Sequence, residues 1–189
     1  MHMLKAQREW TVDDLQDMPD DGNRYEIIDG ELFVSPSPTL PHQEAAGLLY
    51  RMLAAYLAVE RIGHAFIAPA DIVFSRGRVV QPDVFVVPLV NGRRPKSFQS
   101  AGRLLLAAEV SSPSTARLDR VNKRMLFRRE AVAEYWIVDL DARTFERSTP
   151  SELRPEILAE RLEWFPDGAS APLVIDLAEY FAMVFDEST

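Results

Sequence analysis

From Leu104 to Val110 the chain reads LLLAAEV, a run that is apolar at every position except Glu109 and shows no alternation of apolar and polar residues. A strand greasy on both sides belongs in the middle of a sheet whose two faces are both covered. This run therefore demands covering layers on either side, and it excludes a one-sided open sheet. It also places a carboxylate at the end of a buried strand, where an ionised acid needs a partner.

The rest of the chain supplies the covers. Thr11 reads as the N-cap of a short helix through Asp13, Asp14 and Leu15, broken at Asp20, Asp21 and Gly22. In RYEIIDGELFVS the pair Asp29-Gly30 is a two-residue hairpin signal between apolar strands. The loop SPSPTLP, with Ser37 or Thr39 as cap, leads into a helix from about Pro41 to Glu60. Leu49, Met52, Leu53, Tyr56 and Leu57 recur there at helical spacing. Short β-rich runs follow: HAFIA from His64, DIVFS from Asp71 and DVFVV from Asp83, with Gly77 marking a turn. After LLLAAEV, the segment SSPST caps a helix from about Ala116 to Ala131. EYWIVDL and TFERS read as strands, and Asp176 caps a closing helix, DLAEYFAMVF. Hairpin, helix, strand run, helix and strands predict an α/β (α+β) fold, a mixed β-sheet flanked by helices with an N-terminal β-hairpin.

At 189 residues, with no internal repeat and no long linker, residues 1–189 read as one domain. The absence of cysteine excludes disulfides, thiolate metal sites and a cysteine nucleophile, and it fits a cytoplasmic protein. MHMLKAQREW lacks the apolar core of a signal peptide. The nearest approach to a membrane span, Leu48 to Val59, is interrupted by charge and reads as a core helix, so no membrane partner is expected. The formal net charge of −8 opposes nucleic-acid binding, which favours a basic footprint. Local patches and bound cations, however, set the field at a site.

The chemistry gathers around Pro82-Asp83 and Glu109. If their strands are neighbours, the two carboxylates converge at one edge of the sheet and repel unless a proton or a cation lies between them. A hard divalent ion, Mg²⁺ or Mn²⁺, accepts such oxygen ligands, engages a phosphate oxygen and lowers the pKa of an attacking water. Glu26 in the hairpin and Asp71 are further acids within reach. Lys123, on the helix after SSPST, is placed to orient water or stabilise developing negative charge. Each residue also has a plainer reading. Asp83 caps a strand, Glu109 is a solvated acid, and Lys123 pairs with Asp119 on the helix face opposite Leu118, Val121 and Met125. His42, near a helix N-terminus, either binds phosphate or packs. Ser111, Ser112, Ser114 and Thr115 have no histidine base beside them in the sequence and read as caps.

Taken in order, RYEIIDGEL, SPSPTLPHQ, DIVFS with VVQPDVFVV, LAAEVSSPST and DRVNKRMLFRREAVAEYWIVD resemble the Uma family of restriction endonuclease-like proteins, within the PD-(D/E)XK nuclease superfamily. The resemblance runs from about Arg24 to Asp139. It implies a restriction endonuclease-like fold in which Asp83 is the aspartate of the PD half and Glu109 the second acid. Both would act as metal ligands, with the Val110 backbone carbonyl and Glu26 completing the shell. The superfamily's lysine, expected two residues after the acid, is replaced by Ser111, and the resemblance moves that role to Lys123. One turn later, where the family tends to carry tyrosine, stands Phe127. Glu26 and His42 also match family positions. A Mg²⁺- or Mn²⁺-dependent endonuclease acting on DNA, leaving a 5′-phosphate and a 3′-hydroxyl and working as a homodimer, is the expectation that follows. The alternatives are a non-catalytic module of nuclease fold that binds protein or nucleic acid, and a hydrolase of smaller phosphoesters. Two basic groups could follow a phosphate backbone: Arg93, Arg94 and Lys96 in a loop, and Arg117, Arg120, Lys123, Arg124, Arg128 and Arg129 along one helix.

Overall fold

A computed structural model describes residues 8–187. A 3₁₀ turn, Val12–Asp17, opens them with Thr11 as its cap. The strands β1 (Arg24–Ile28) and β2 (Glu31–Ser35) then form the expected hairpin. Asp29 and Gly30 both take positive φ, 52° and 78°, as a two-residue turn matched to the strand twist requires. Helix α1 (Leu40–Glu60) follows, capped by Thr39, whose hydroxyl accepts from the His42 amide. Strands β3 (Gly63–Ile67), β4 (Ile72–Ser75), β5 (Arg78–Val80) and β6 (Val84–Pro88) come next, then a single turn α2 (Phe98–Ala101) and the strand β7 (Leu106–Ser111).

Every residue of β7 is buried. It lies inside a six-stranded sheet of order β10-β9-β8-β7-β6-β3. It runs parallel to β8 (Glu134–Asp139) and antiparallel to β6, while β9 (Thr144–Ser148) and β10 (Glu156–Leu158) extend the far side. Alternation along the strands divides the core into two layers. Val84, Val86, Ala108, Val110, Trp136 and Val138 pack against α1 and α4 (Leu177–Val184). The leucines of α1 at 48, 49, 53 and 57 belong to this layer, each contributing about 2 kcal/mol by burial. Phe85, Val87, Ala107, Tyr135 and Ile137 form the other layer with Leu126 and Phe127 of α3 (Arg124–Arg129) and with Ile28, Ile72 and Val80. The last three belong to a small sheet of order β2-β1-β5-β4. The N-terminal hairpin is thus not a strand pair added to the main sheet; it helps to cover the face on which Glu109 lies.

The structure adds strands in two regions and decides between two readings of a helix face in a third. The segment between DIVFS and DVFVV contains a strand, β5, so Gly77 turns a hairpin that closes the small sheet. The region after Pro150 holds β10 and the hairpin β11 (Arg161–Trp164) with β12 (Leu173–Asp176), whose isolated large apolar residues leave little periodicity to read. The helix over residues 116–129 turns the side of Asp119 and Lys123 to the sheet. Val121 and Met125 are 44% and 65% exposed, while Asp119 and Lys123 are each 2% exposed. Val121 and Met125 stay outside because two charged residues, compensated by the sheet, occupy the buried side. Among the described residues no helix is long and apolar enough to cross a membrane.

Candidate active site

The β6–β7 register pairs Val84 with Ala108, and one step further along it sets Asp83 opposite Glu109. Both side chains follow the parity of Phe85 and Ala107, so both project to the face carrying α3 and the small sheet. Asp83 is 3% and Glu109 2% exposed. The Val110 amide donates to Asp83 Oδ2 at 2.8 Å, which locks the aspartate to the neighbouring strand.

Lys123 reaches Glu109 from the helix. Its Nζ donates to Glu109 Oε1 at 2.9 Å, forms an ion pair with Glu26 Oε2 at 2.8 Å, and stands 3.7 Å from Asp119. The local backbone makes this possible. Leu118–Lys123 is wound as a π-helix, and the Arg124 amide donates back to the Asp119 carbonyl. This wider turn carries Asp119 and Lys123 inward together, and π-turns of this kind often mark functional positions. Glu26 enters from β1, where its Oε1 accepts from the Gln81 amide at 2.8 Å.

Two groups that the sequence reading did not weigh complete the cluster. Arg24, on the same face of β1 as Glu26, donates to Asp83 Oδ1 at 2.7 Å and lies 3.8 Å from Glu109 Oε2. Asp119, read only as a surface partner of Lys123, is buried at its base. The two-residue spacing Arg24-x-Glu26 on a strand was the available signal for the first. Nothing short of the π-turn announced the second. His42, 14% exposed, turns its Nε2 to Asp83 Oδ2 at 3.2 Å from the first turn of α1.

Burial works to raise the Asp83 carboxyl, yet the His42 hydrogen bond, the Arg24 charge and the Val110 amide outweigh it and hold the group well below the usual carboxylate range. Burial, with repulsion from Asp83, Asp119 and Glu26 against the pull of Lys123, drives Glu109 well above that range. Asp119 is raised by burial to about 6, although Lys123 and Thr115 oppose the shift. Desolvation works to lower Lys123, but its three carboxylate neighbours prevail and keep the ammonium protonated. Lys123 is therefore a donor and a fixed charge, and cannot serve as a general base near neutral pH.

The model of the Uma2 family, described as putative restriction endonuclease, matches residues 12–175. The chain belongs to the Uma2 family. A crystal structure of a putative nuclease belonging to DUF820 from Anabaena variabilis ATCC 29413 is similar to it over 92% of this chain and 98% of that one, with a TM-score of 0.76 and 20% identity. That likeness is one of fold. No protein of curated function matches the chain.

In this Uma2-family chain the donors around Asp83 and Glu109 are mainly carboxylate oxygens. Four carboxylates (Glu26, Asp83, Glu109 and Asp119) face two permanent cations, Arg24 and Lys123, so acids outnumber cations in the cluster. One buried polar atom there, His42 Nδ1, has no hydrogen-bond partner, and Glu26 Oε2 is held by the Lys123 ammonium. Oxygen donors that outnumber the cations around them suit a hard cation. No group of three or more acidic or histidine side chains among the described residues is already spaced to surround one. Asp83 and Glu109 would have to share the ion with the Val110 carbonyl and water. Arg24, 20% exposed, now spans the same two carboxylates. A cavity of about 110 Å³ opens beside the cluster, lined by Arg24, His42, Ser112, Thr115 and Lys123 among others.

The remaining expected residues fall elsewhere. Asp71 is exposed and lies outside the cluster, binding the Gln81 amide side chain at 2.7 Å. Ser111 is buried at the end of β7, and Ser112 and Thr115 hydrogen-bond each other across the turn that starts the helix, as caps do. Phe127 is fully buried against Tyr135, whose hydroxyl donates to the Asp119 carbonyl at 3.1 Å. The basic helix does not present a continuous phosphate track. Arg120 is bound to Asp139 and Glu146, Arg129 to Asp29, Arg128 to the Pro150 carbonyl, and Lys123 is buried. Arg93, Arg94 and Lys96 are exposed and form no ion pair among the described residues.

Proposed function

We propose that this Uma2-family protein is a Mg²⁺- or Mn²⁺-dependent endonuclease that hydrolyses phosphodiester bonds of DNA. The observation that carries this reading is the buried cluster in which Asp83 and Glu109, on adjacent antiparallel strands, stand among more carboxylates than cations. In the proposal Asp83, Glu109 and the Val110 carbonyl hold the cation, with Glu26 as a further acid on its far side. When bound, the ion would neutralise charge on a phosphate oxygen and acidify an attacking water. Lys123 fixes Glu109 and supplies a permanent positive charge beside the site. His42 and the Val110 amide orient Asp83. Arg24, released from Asp83 and Glu109 when their charge is otherwise neutralised, becomes free to bind a phosphate oxygen. In this reading residues 1–189 form one domain, and two copies pair to address two strands. One observation favours the competing reading, a binding module of nuclease fold: protein cations already fill the gaps between the carboxylates.

The test is calorimetric titration of Mn²⁺ into wild type and Asp83→Ala/Glu109→Ala, followed by incubation of both with supercoiled plasmid. Saturable binding and nicking by wild type, both lost in the variant, are expected. Binding without cleavage of plasmid would refute the DNA substrate while keeping the ion site. A folded wild type that takes up no Mn²⁺ would leave the binding module.

A further inference from the structure

A second concavity, separate from the carboxylate cluster, lies on the same face of the main sheet. It encloses about 820 Å³, within the range of sites that hold small organic groups. Phe66 and Phe85 line it from adjacent strands, paired in register and stacked with ring centres 5.3 Å apart and planes 16° from parallel. Phe85 is buried beneath, while Phe66 is part-exposed and lines the cavity. Phe98 of α2 borders it, held edge-on against Phe74. Arg94 and Lys96, from the loop before α2, stand at its rim, exposed and without ion pairs among the described residues. A chain of net charge −8 thus places uncommitted cations beside an aromatic floor.

We infer that this concavity is a subsite for an unpaired nucleotide of the nucleic-acid substrate, its base stacked on Phe66 and its phosphate held by Arg94 and Lys96. The inference rests on the nuclease reading above. Stacking on a flat ring and charge on the backbone are the two interactions by which proteins hold single strands without reading their sequence. A fully paired duplex has no free base to enter a concave site, so the occupant is single-stranded or locally opened DNA. The placement is continuous with the cluster. Asp83 and Phe85 share one face of the β6 segment two residues apart, about 7 Å along a strand. Asp71 lines the cavity and holds Gln81, which in turn binds Glu26 and Arg24 through its backbone. A strand with one phosphate at the carboxylates would reach the pocket with a neighbouring nucleotide.

The experiment is fluorescence anisotropy with wild-type protein in EDTA, which stops cleavage. The probes are a labelled oligodeoxythymidylate and a fully paired duplex of equal length. Phe66→Leu, which keeps apolar volume but removes the ring, should weaken single-strand binding about tenfold and leave duplex binding within about twofold. Arg94→Ala/Lys96→Ala should reduce the slope of log affinity against log salt by about 1.4 for the single strand. Melting temperatures of both variants show whether the fold is kept. Wild-type affinity in both folded variants overturns the subsite, as does equal weakening of both probes by Phe66→Leu. A wild type that binds neither probe in EDTA overturns the subsite, while plasmid nicking with Mn²⁺ decides the nucleic-acid reading separately. A wild type that nicks plasmid and binds single strands indifferently to the pocket variants overturns the subsite alone.

Discussion

Asp119 shows most directly how the cluster couples charge to stability. In the unfolded chain its carboxyl titrates near 3.8; in the fold, burial raises it to about 6. Between those values the native state keeps a proton that the unfolded chain has released, so stability falls as pH rises through about 4 to 6 and levels off above. The span of this effect is on the order of 2–3 kcal/mol. Asp119→Asn removes the titration. Without metal, the difference in stability between wild type and Asp119→Asn should therefore change across that window and stay constant above pH 6. Melting curves of both proteins at a series of pH values in chelator decide it, and parallel curves from pH 4 to 6 would contradict the assigned burial. Lys123 opposes the shift, and removing one partner of such a buried ion pair leaves charges without compensation, which is costly.

At the scale of elements, the strand seams and the π-turn set where these side chains can go. The β3–β6 seam is closed by Gly63. A Cβ there would lie 2.8 Å from the Val87 carbonyl oxygen, 3.0 Å from Val86 Cγ1 and 3.2 Å from Leu105 Cδ1. The nearest of these is backbone in a paired strand and cannot yield cheaply. Gly63→Ala should cost about 1–3 kcal/mol, the usual penalty for forcing volume into packed structure. Gly47 in α1 is the contrast. Its added Cβ would meet only Arg51 Nη1, at 3.6 Å, and alanine there should stabilise by up to about 1 kcal/mol through helix propensity. Urea denaturation of the two variants reads both signs, and a Gly63→Ala protein as stable as wild type would refute the close approach. The π-turn over Leu118–Lys123 works in the opposite sense, because it widens the helix to admit two charged side chains to the sheet face.

The whole molecule combines an acidic surface with a buried anionic site. With a net charge of −8, long-range attraction to a polyanion is weak, and a bound divalent cation would be the largest local positive charge. Since an ion that binds only the native state stabilises it by mass action, Mn²⁺ at about a hundred times its dissociation constant should add about 2.7 kcal/mol. For a chain of this size that is a rise in melting temperature of about 5–10 °C. Asp83→Ala/Glu109→Ala should show no such rise. An equal rise in both proteins would place the ion elsewhere.

Much of the architecture was legible because it rests on local rules. The Asp29-Gly30 turn, the Thr39 cap, the length of α1 and the unbroken apolar run of β7 each state their structure within a few residues. The carboxylates at Asp83 and Glu109 were legible as ends of apolar strands. The sequence could not show that β6 and β7 are antiparallel neighbours, and that pairing is what brings the two acids face to face. The pattern of the third helix left open whether Lys123 is solvated or turned to the site, because a buried lysine is stable only if carboxylates from β1 and β7 already stand where its ammonium arrives. Asp119 gave no local sign of its place for the same reason. Short-range propensity fixes turns, caps and strands one at a time, whereas the compensation of a buried charge depends on several distant segments at once, and only the tertiary structure decides it.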